Sequence, residues 1–304
     1  MRALVTGANG QVGREIVESL LNLGIETIDA TSKALDITKD NLVLSAVTTT
    51  DVDIVINAAA YTNVDMAQDE KDKAISVNVT GVENLAKACS IADIPFIHLS
   101  TDYVFFMPTG IPHCENDMAT PNGVYAKTKY EGEKRALSLC KKSIVVRASW
   151  IFGRYGKNFV KTMQRLARTN DELNVVFDQK GNPTPARAFG AFIANLAKLI
   201  ILNKSFDLYG IYHFAGEPYT TWDEFARLIL DLSYKKGYID HKVKIKSIAS
   251  SSYPMKIERP SDSRLNCSLI KERFNVDMPS WMDYIEETID AEFKEFSLNE
   301  NKKS

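Results

Sequence analysis

The feature that most constrains the fold is a glycine-rich turn, Gly7-Ala-Asn-Gly10-Gln-Val-Gly13, set between an apolar run at 2–6 and a helical pattern reaching about Leu23. The run has the length of a buried strand, and Val12, Ile16 and Leu20 fall on one side of the helix that follows. Glycines at such a junction let backbone amides approach a pyrophosphate, which the positive end of the helix then stabilises. The spacing is Gly-x-x-Gly-x-x-Gly. An ordinary tight turn is the competing explanation, and the position directly after the first strand favours nucleotide binding.

The alternation continues. Strands are predicted at Ile25–Asp29, Asp53–Asn57, Pro95–Ser100 and Ser143–Arg147, separated by helical patterns of which Lys71–Ile91 is the clearest. Strands alternating with helices indicate a parallel sheet with right-handed crossovers, a Rossmann-like doubly wound α/β fold. Ligands of such sheets bind beyond the carboxyl ends of the strands. There, Asp29 stands about 20 residues past the glycines, where an acid holds the adenosine ribose hydroxyls. Lys33, close behind, suits a 2′-phosphate instead, which leaves NADH and NADPH both open. The third strand ends in Asn57-Ala-Ala-Ala60-Tyr61-Thr62, whose small side chains admit either a flat ligand or tight helix packing. The fourth brings the Thr101 hydroxyl to the sheet edge, and the fifth brings Trp150 beside the same crevice.

The stretch Pro121 to Glu133 suits a helix that opens just after Pro121 and Gly123 and carries Tyr125 and Lys129 four residues apart, hence on one face. A free phenol has a pKa of about 10, and an adjacent ammonium is expected to lower it, which makes the pair a candidate general acid or base. Tyr-x-x-x-Lys also arises by chance in many helices, so the pair gains meaning only beside the glycine turn and Thr101.

With 304 residues the chain suits one large domain or two modest ones. A net charge of −2 with scattered basic residues offers no field for nucleic acid or an anionic membrane. Cys89, Cys114, Cys140 and Cys267 lack metal-ligand spacing and read as thiols of a reducing compartment. The opening apolar run is too short for a signal peptide and no apolar stretch reaches membrane-spanning length, so a cytoplasmic protein is expected. After Gly153 the alternation loosens. Helices are predicted at Phe159–Arg168, Ala188–Leu202, Thr221–Leu232 (capped by Thr220-Thr221) and Tyr284–Phe296. Strands are predicted at Asn174–Phe177, Gly210–Phe214 and Lys242–Ile248. The resulting division gives 1–150 plus about 185–214 to a dinucleotide-binding domain. About 151–184 and 215–296 form a smaller mixed α/β substrate-binding domain, and 297–304 a loose tail. Trp222 and Trp281 are read as packing, whereas the Arg259 guanidinium suits a diphosphate.

The glycine turn, Thr101 and Tyr125-x-x-x-Lys129 together resemble the extended short-chain dehydrogenase/reductase superfamily. More narrowly, the chain resembles the dTDP-4-dehydrorhamnose reductase family. The blocks that carry this are Leu35-Asp-Ile-Thr38, Asn57 to Asp65, Ser100 to Phe105, Val124 to Lys129 with Gly132-Glu133, Arg147 to Gly153, Asn158 to Met163, Asp178 to Thr184, Gly210 to Phe214 and Arg259-Pro-x-x-Ser263-x-Leu265. They run in order over about residues 2–290. The resemblance implies a reductase that uses NADPH or NADH to reduce the 4-keto group of a nucleotide-activated deoxysugar, in dTDP-rhamnose and cell-surface polysaccharide synthesis. It implies Thr101, Tyr125 and Lys129 as catalytic residues, with Gly7, Gly10, Gln11, Val12, Gly13, Asp29, Asp36, Ile37, Ala60, Tyr61, Thr62 and again Tyr125 and Lys129 along the cofactor. Thr101, Asp102 and Trp150 are implied at the sugar, with Asn158 and Arg259 at the diphosphate end. Phe106-Met107 and Ala126 depart from the family pattern, which usually has Asp-Gly and Gly there. Some relatives bind magnesium between subunits through glutamates; Glu15 matches one, but Ala186–Ala191 supplies no second. No metal is therefore expected, and a monomer or weak homodimer is. The alternatives are a sugar-nucleotide epimerase or dehydratase on the same fold, or a regulatory subunit resembling the methionine adenosyltransferase β subunit.

Overall fold

The computed structural model describes residues 1–300. Six strands form one parallel sheet: β1 (Arg2–Thr6), β2 (Glu26–Ala30), β3 (Ile54–Asn57), β4 (Phe96–Thr101), β5 (Ser143–Ala148) and β6 (Gly210–His213). Their order is β6-β5-β4-β3-β1-β2, so the chain steps outward from β1 to β2 and returns on the other side at β3. That reversal opens a crevice at the carboxyl ends of β1 and β3, the place where such sheets bind ligands.

Alternation along each strand fills both faces. Ala3, Val5, Ile54, Ile56, Ile97, Ile144 and Val146 face one core with Ile16 and Leu20 of α1 (Gln11–Asn22). Leu4, Val55, Phe96 and Val145 face the other, with Val43 and Val47 of α2 (Asp40–Thr49). Burying each valine, leucine, isoleucine or phenylalanine among them contributes roughly 1.5–3 kcal/mol. The helical pattern predicted over Lys71–Ile91 is broken into α3 (Lys71–Ile75), a π-turn (Ser76–Thr80) and α4 (Gly81–Ala92). Within the wide turn the Asn78 amide accepts from the Tyr61 N–H at 2.8 Å and donates to the Tyr61 carbonyl at 3.1 Å. The irregular turn thereby fixes the loop after β3, a recurring use of π-turns at functional sites. Next come α5 (Gly123–Leu139), α6 (Phe159–Ala167) and α7 (Ala186–Leu202). The last packs against the first core through Phe189, Ile193, Leu196 and Ala197.

A separate core holds Phe152, Val160, Leu173, Phe225, Ile229, Trp281, Ile285 and Ile289. It lies between α6, α8 (Trp222–Lys235), α10 (Ile285–Glu300) and a parallel ribbon of Glu172–Val176 with Lys244–Ile248. At the start of α8, Glu224 accepts from the Thr221 N–H at 3.3 Å in a capping box.

Two boundaries differ from expectation. Leu265, Cys267, Ile270 and Met278, around the unpredicted helix α9 (Ser268–Phe274), pack into the first core, so the stretch 215–296 is shared between the lobes. α10 also continues through Glu300, because its register carries on past Phe296; tail residues 301–304 lie outside the described residues. Among the described residues no helix is long and apolar enough to cross a membrane.

Candidate active site

The glycine turn is built for close approach. Gly7 has φ +66, and a Cβ there would stand 2.6 Å from the Ala59 nitrogen. A Cβ on Gly13 would meet the Gly7 carbonyl oxygen at 2.1 Å. No side chain caps α1, whose N-cap is Gly10, and no acid occupies its first turn. Its leading N–H groups are thus left for an anion. Asn57 braces the adjoining turn: its Oδ1 accepts from Thr6 Oγ1 at 2.6 Å and from the Ala59 N–H at 3.1 Å. These features fit the pyrophosphate of a dinucleotide.

Three cavities adjoin one another across the crevice. The first, about 320 Å³, is lined by Gly7, Gly10, Ser32, Asp36, Ile37, Ala60 and Tyr61. Asp36 accepts from the Thr38 N–H at 3.0 Å and its hydroxyl at 2.7 Å, which lowers its pKa and shapes the loop. The second, about 480 Å³, shares Gly10 and Ala60 with the first and adds Gln11, Val12, Thr62, Thr101, Asp102, Tyr125, Lys157, Trp150 and Trp222. The third, about 320 Å³, shares Tyr103 and Trp222 with the second and reaches Arg259.

Around the second cavity the electrostatics are those of burial. Thr101 Oγ1 donates to Asp102 Oδ1 at 3.1 Å and accepts from the Tyr103 N–H at 3.2 Å. Asp102 Oδ2 is buried with no partner among the described residues, and burial pushes that carboxyl up to about 7, opposed by the Ser263 and Thr101 hydroxyls. Burial likewise pushes the Tyr125 phenol up to about 12, opposed by the neighbouring Thr101 hydroxyl and reinforced by Asp102. The expectation of a phenol pKa below its ordinary value is therefore corrected, because burial dominates. The Lys129 ammonium is buried and donates to the Leu99 carbonyl at 2.7 Å, and desolvation draws its own pKa down to about 8 against the pull of Glu133. Such a phenol rests in its neutral, proton-bearing form.

Beneath this pair lies a clamp that sequence reading missed. Glu133 takes Arg147 through two bonds, Nε to Oε1 at 2.9 Å and Nη2 to Oε2 at 2.6 Å, and also takes the Ser100 hydroxyl at 2.5 Å. The clamp joins α5, which carries Tyr125 and Lys129, to β5 and to the residue before Thr101. His213 completes it. Burial and then Arg147 hold His213 down to about 3, so it is neutral, with Nδ1 between the carbonyls of His113 and Asn266 and Nε2 facing Arg147 Nη1 at 3.4 Å.

Trp150, with φ +46, stacks on Trp222 at 3.6 Å between ring centroids and 9° between planes. Trp222 is thus a cavity wall as well as packing, contrary to its reading as packing alone; its place at the helix start gave no periodic signal. Trp281 is core, and its indole donates to the Pro218 carbonyl at 2.6 Å.

Several candidates lie off the cavities. Asp29 is exposed, one residue short of the strand end, where Ala30 and Ser32 form the lining. Gly13 and Lys129 stand behind the walls. Asn158 caps α6, accepting from the Lys161 N–H at 3.1 Å and donating to Gly153 O at 2.7 Å and Gln11 Oε1 at 3.0 Å. Its amide is fully used inside the protein, away from the cavity that Arg259 lines.

The model of the RmlD substrate binding domain family matches residues 1–293. A dTDP-4-dehydrorhamnose reductase of Aggregatibacter actinomycetemcomitans is 40% identical over 281 residues, 92% of this chain and 95% of the relative. The chain belongs to this family. A solved dTDP-4-dehydrorhamnose reductase of Clostridium acetobutylicum superposes with a TM-score of 0.88 at 34% identity, over 95% of this chain and 99% of that one. The corresponding reductase of Bacillus anthracis, solved in complex with NADP, gives 0.86 at 33% identity, over 94% and 98%.

Proposed function

We propose that this chain reduces the 4-keto group of dTDP-4-dehydro-L-rhamnose to give dTDP-L-rhamnose. The observation that carries this is the second cavity, where Thr101, Asp102 and Tyr125 face the glycine turn across a single space. The glycine turn, Asp36-Ile37 and Ala60-Tyr61-Thr62 would hold NADPH or NADH. When bound, that group supplies the hydride for the carbonyl carbon. Tyr125, kept neutral by burial, donates its phenolic proton to the carbonyl oxygen. The Thr101 hydroxyl hydrogen-bonds the same oxygen as negative charge develops there. Lys129, on the same helical face and cationic below about pH 8, stabilises the phenolate left behind. Asp102 and Trp150 hold the sugar, and Arg259 meets the diphosphate at the far end of the third cavity.

Either reduced cofactor is accepted on this reading, because Asp29 stands outside the cavity and does not repel a 2′-phosphate. A metal-bridged dimer is not part of it. Glu15 is already held by Arg154 through two contacts of 3.0 Å. The dehydratase alternative is less favoured, since only Asp102 follows the catalytic hydroxyl and the next residue is Tyr103. The test is loss of reduced-nicotinamide absorbance with dTDP-4-dehydro-L-rhamnose. Equimolar consumption with sugar product supports reduction; turnover without net consumption indicates an epimerase, and no turnover a regulatory protein.

A further inference from the structure

The turn after β3 and the segment 253–260 meet across the third cavity, one from each lobe. Asp65 Oδ2 takes Arg259 Nη2 at 2.7 Å, with Arg259 only 16% exposed. Lys256 pairs with Asp69 at the outer edge of the same contact. Tyr253, Pro254 and Met255 roof the cavity, so this segment is tied down at both pairs. The Asp65–Arg259 pair is incomplete, because Asp65 Oδ1, Arg259 Nη1 and neighbouring Gln68 Nε2 are all buried without partners among the described residues. An unsatisfied buried donor costs stability that a ligand with matching acceptors relieves. A guanidinium held by one edge to a carboxylate presents its remaining N–H groups in a fixed plane suited to phosphate oxygens.

We propose that Asp65 is a positioning residue for the nucleoside diphosphate of the substrate: by holding Nη2 it fixes the Arg259 guanidinium in the wall of the third cavity, where that side chain meets the phosphates, and it fastens the roof of the cavity to the large lobe. This rests on the reading of Arg259 as the diphosphate ligand. Asp65 acts through Arg259 and touches neither the sugar nor the reacting carbonyl. Its contribution is preorganisation, since the arginine side chain is already ordered before the substrate arrives. An immobilised side chain of this kind is worth about two- to tenfold in affinity.

The test is calorimetric binding of dTDP and of thymidine to the full chain loaded with NADP⁺. Asp65→Asn is expected to weaken dTDP about two- to tenfold while thymidine binds as before. KM for the nucleotide sugar is expected to rise by more than kcat falls. Asp65→Glu restores part of the dTDP affinity, and Asp65→Asn adds nothing in an Arg259→Met background. Unchanged or tighter dTDP binding in Asp65→Asn overturns the proposal, as does an equal loss for dTDP and thymidine or the same loss in the Arg259→Met background. If Arg259→Met itself leaves dTDP affinity intact, the diphosphate reading of Arg259 fails and the proposal falls with it. If Arg259→Met weakens dTDP and Asp65→Asn does not, the proposal alone falls.

Discussion

Replacing Arg147 by Met strips the partner from a carboxylate that is 1% exposed while keeping most of the arginine stem. In the native chain Glu133 is balanced by two guanidinium contacts of 2.9 and 2.6 Å, and Arg147 also lies 5.0 Å from the Phe105 ring centroid. Methionine fills the space of the arginine stem but loses the guanidinium with its place over Phe105 and both charge contacts, leaving Glu133 with the Ser100 hydroxyl. Breaking one side of such a buried pair costs about 3–5 kcal/mol, against roughly 0–1 kcal/mol for an exposed pair. For a chain of this length that corresponds to a fall in Tm of roughly 5–8 °C. Urea unfolding followed by tryptophan fluorescence measures it, with an unchanged slope as the sign that only stability moved. Adding Glu133→Gln to Arg147→Met is expected to recover a large part of the loss, because the uncompensated charge goes. A loss below about 1 kcal/mol in the single variant, or no recovery in the double, refutes the reasoning.

Three further outcomes follow from the same structure. Lys129 is cationic below its pKa of about 8, and the mechanism uses the cation. kcat/KM at limiting NADPH is therefore expected to fall as pH rises through that value; a profile flat to roughly pH 9.5 contradicts this role. A Cβ on Gly181 would stand 2.3 Å from Trp150 Cε2, so Gly181→Ala displaces the indole from its stack on Trp222. The expected result is a loss of about 1–3 kcal/mol with a raised sugar KM, and an unaltered KM counts against Trp150 at the sugar. Asp29→Ala is expected to shift the NADPH to NADH preference by less than about threefold, since an exposed charge outside the cavity contributes little; a larger shift places Asp29 on the ribose.

The sheet was legible because its strands are short apolar runs whose side chains alternate between two cores, and because glycines punctuate the first crossover. What the pattern does not encode is which side of a loop a residue occupies. Asp29 lies one position before the strand end, and in a strand one position reverses the face. Asn158 sits in a recognisable block, yet its amide serves the start of α6, a role that spacing alone does not separate from ligand binding. The Tyr125–Lys129 spacing correctly put both on one helical face, but the sign of the phenol's shift depends on burial by residues distant in sequence. The same holds for Glu133 and Arg147, which are 14 residues apart and meet only when α5 packs on β5. Leu265 to Met278 carry no strong periodicity, so their return to the first core had no local signal.

The most direct test is Tyr125→Phe, which removes one oxygen from the wall of the second cavity and leaves the glycine turn untouched. With dTDP-4-dehydro-L-rhamnose and NADPH, kcat is expected to drop by a factor on the order of 10²–10⁴, while NADPH affinity measured by fluorescence titration stays at the native level. Full turnover in that variant contradicts the assignment of Tyr125 as the proton donor.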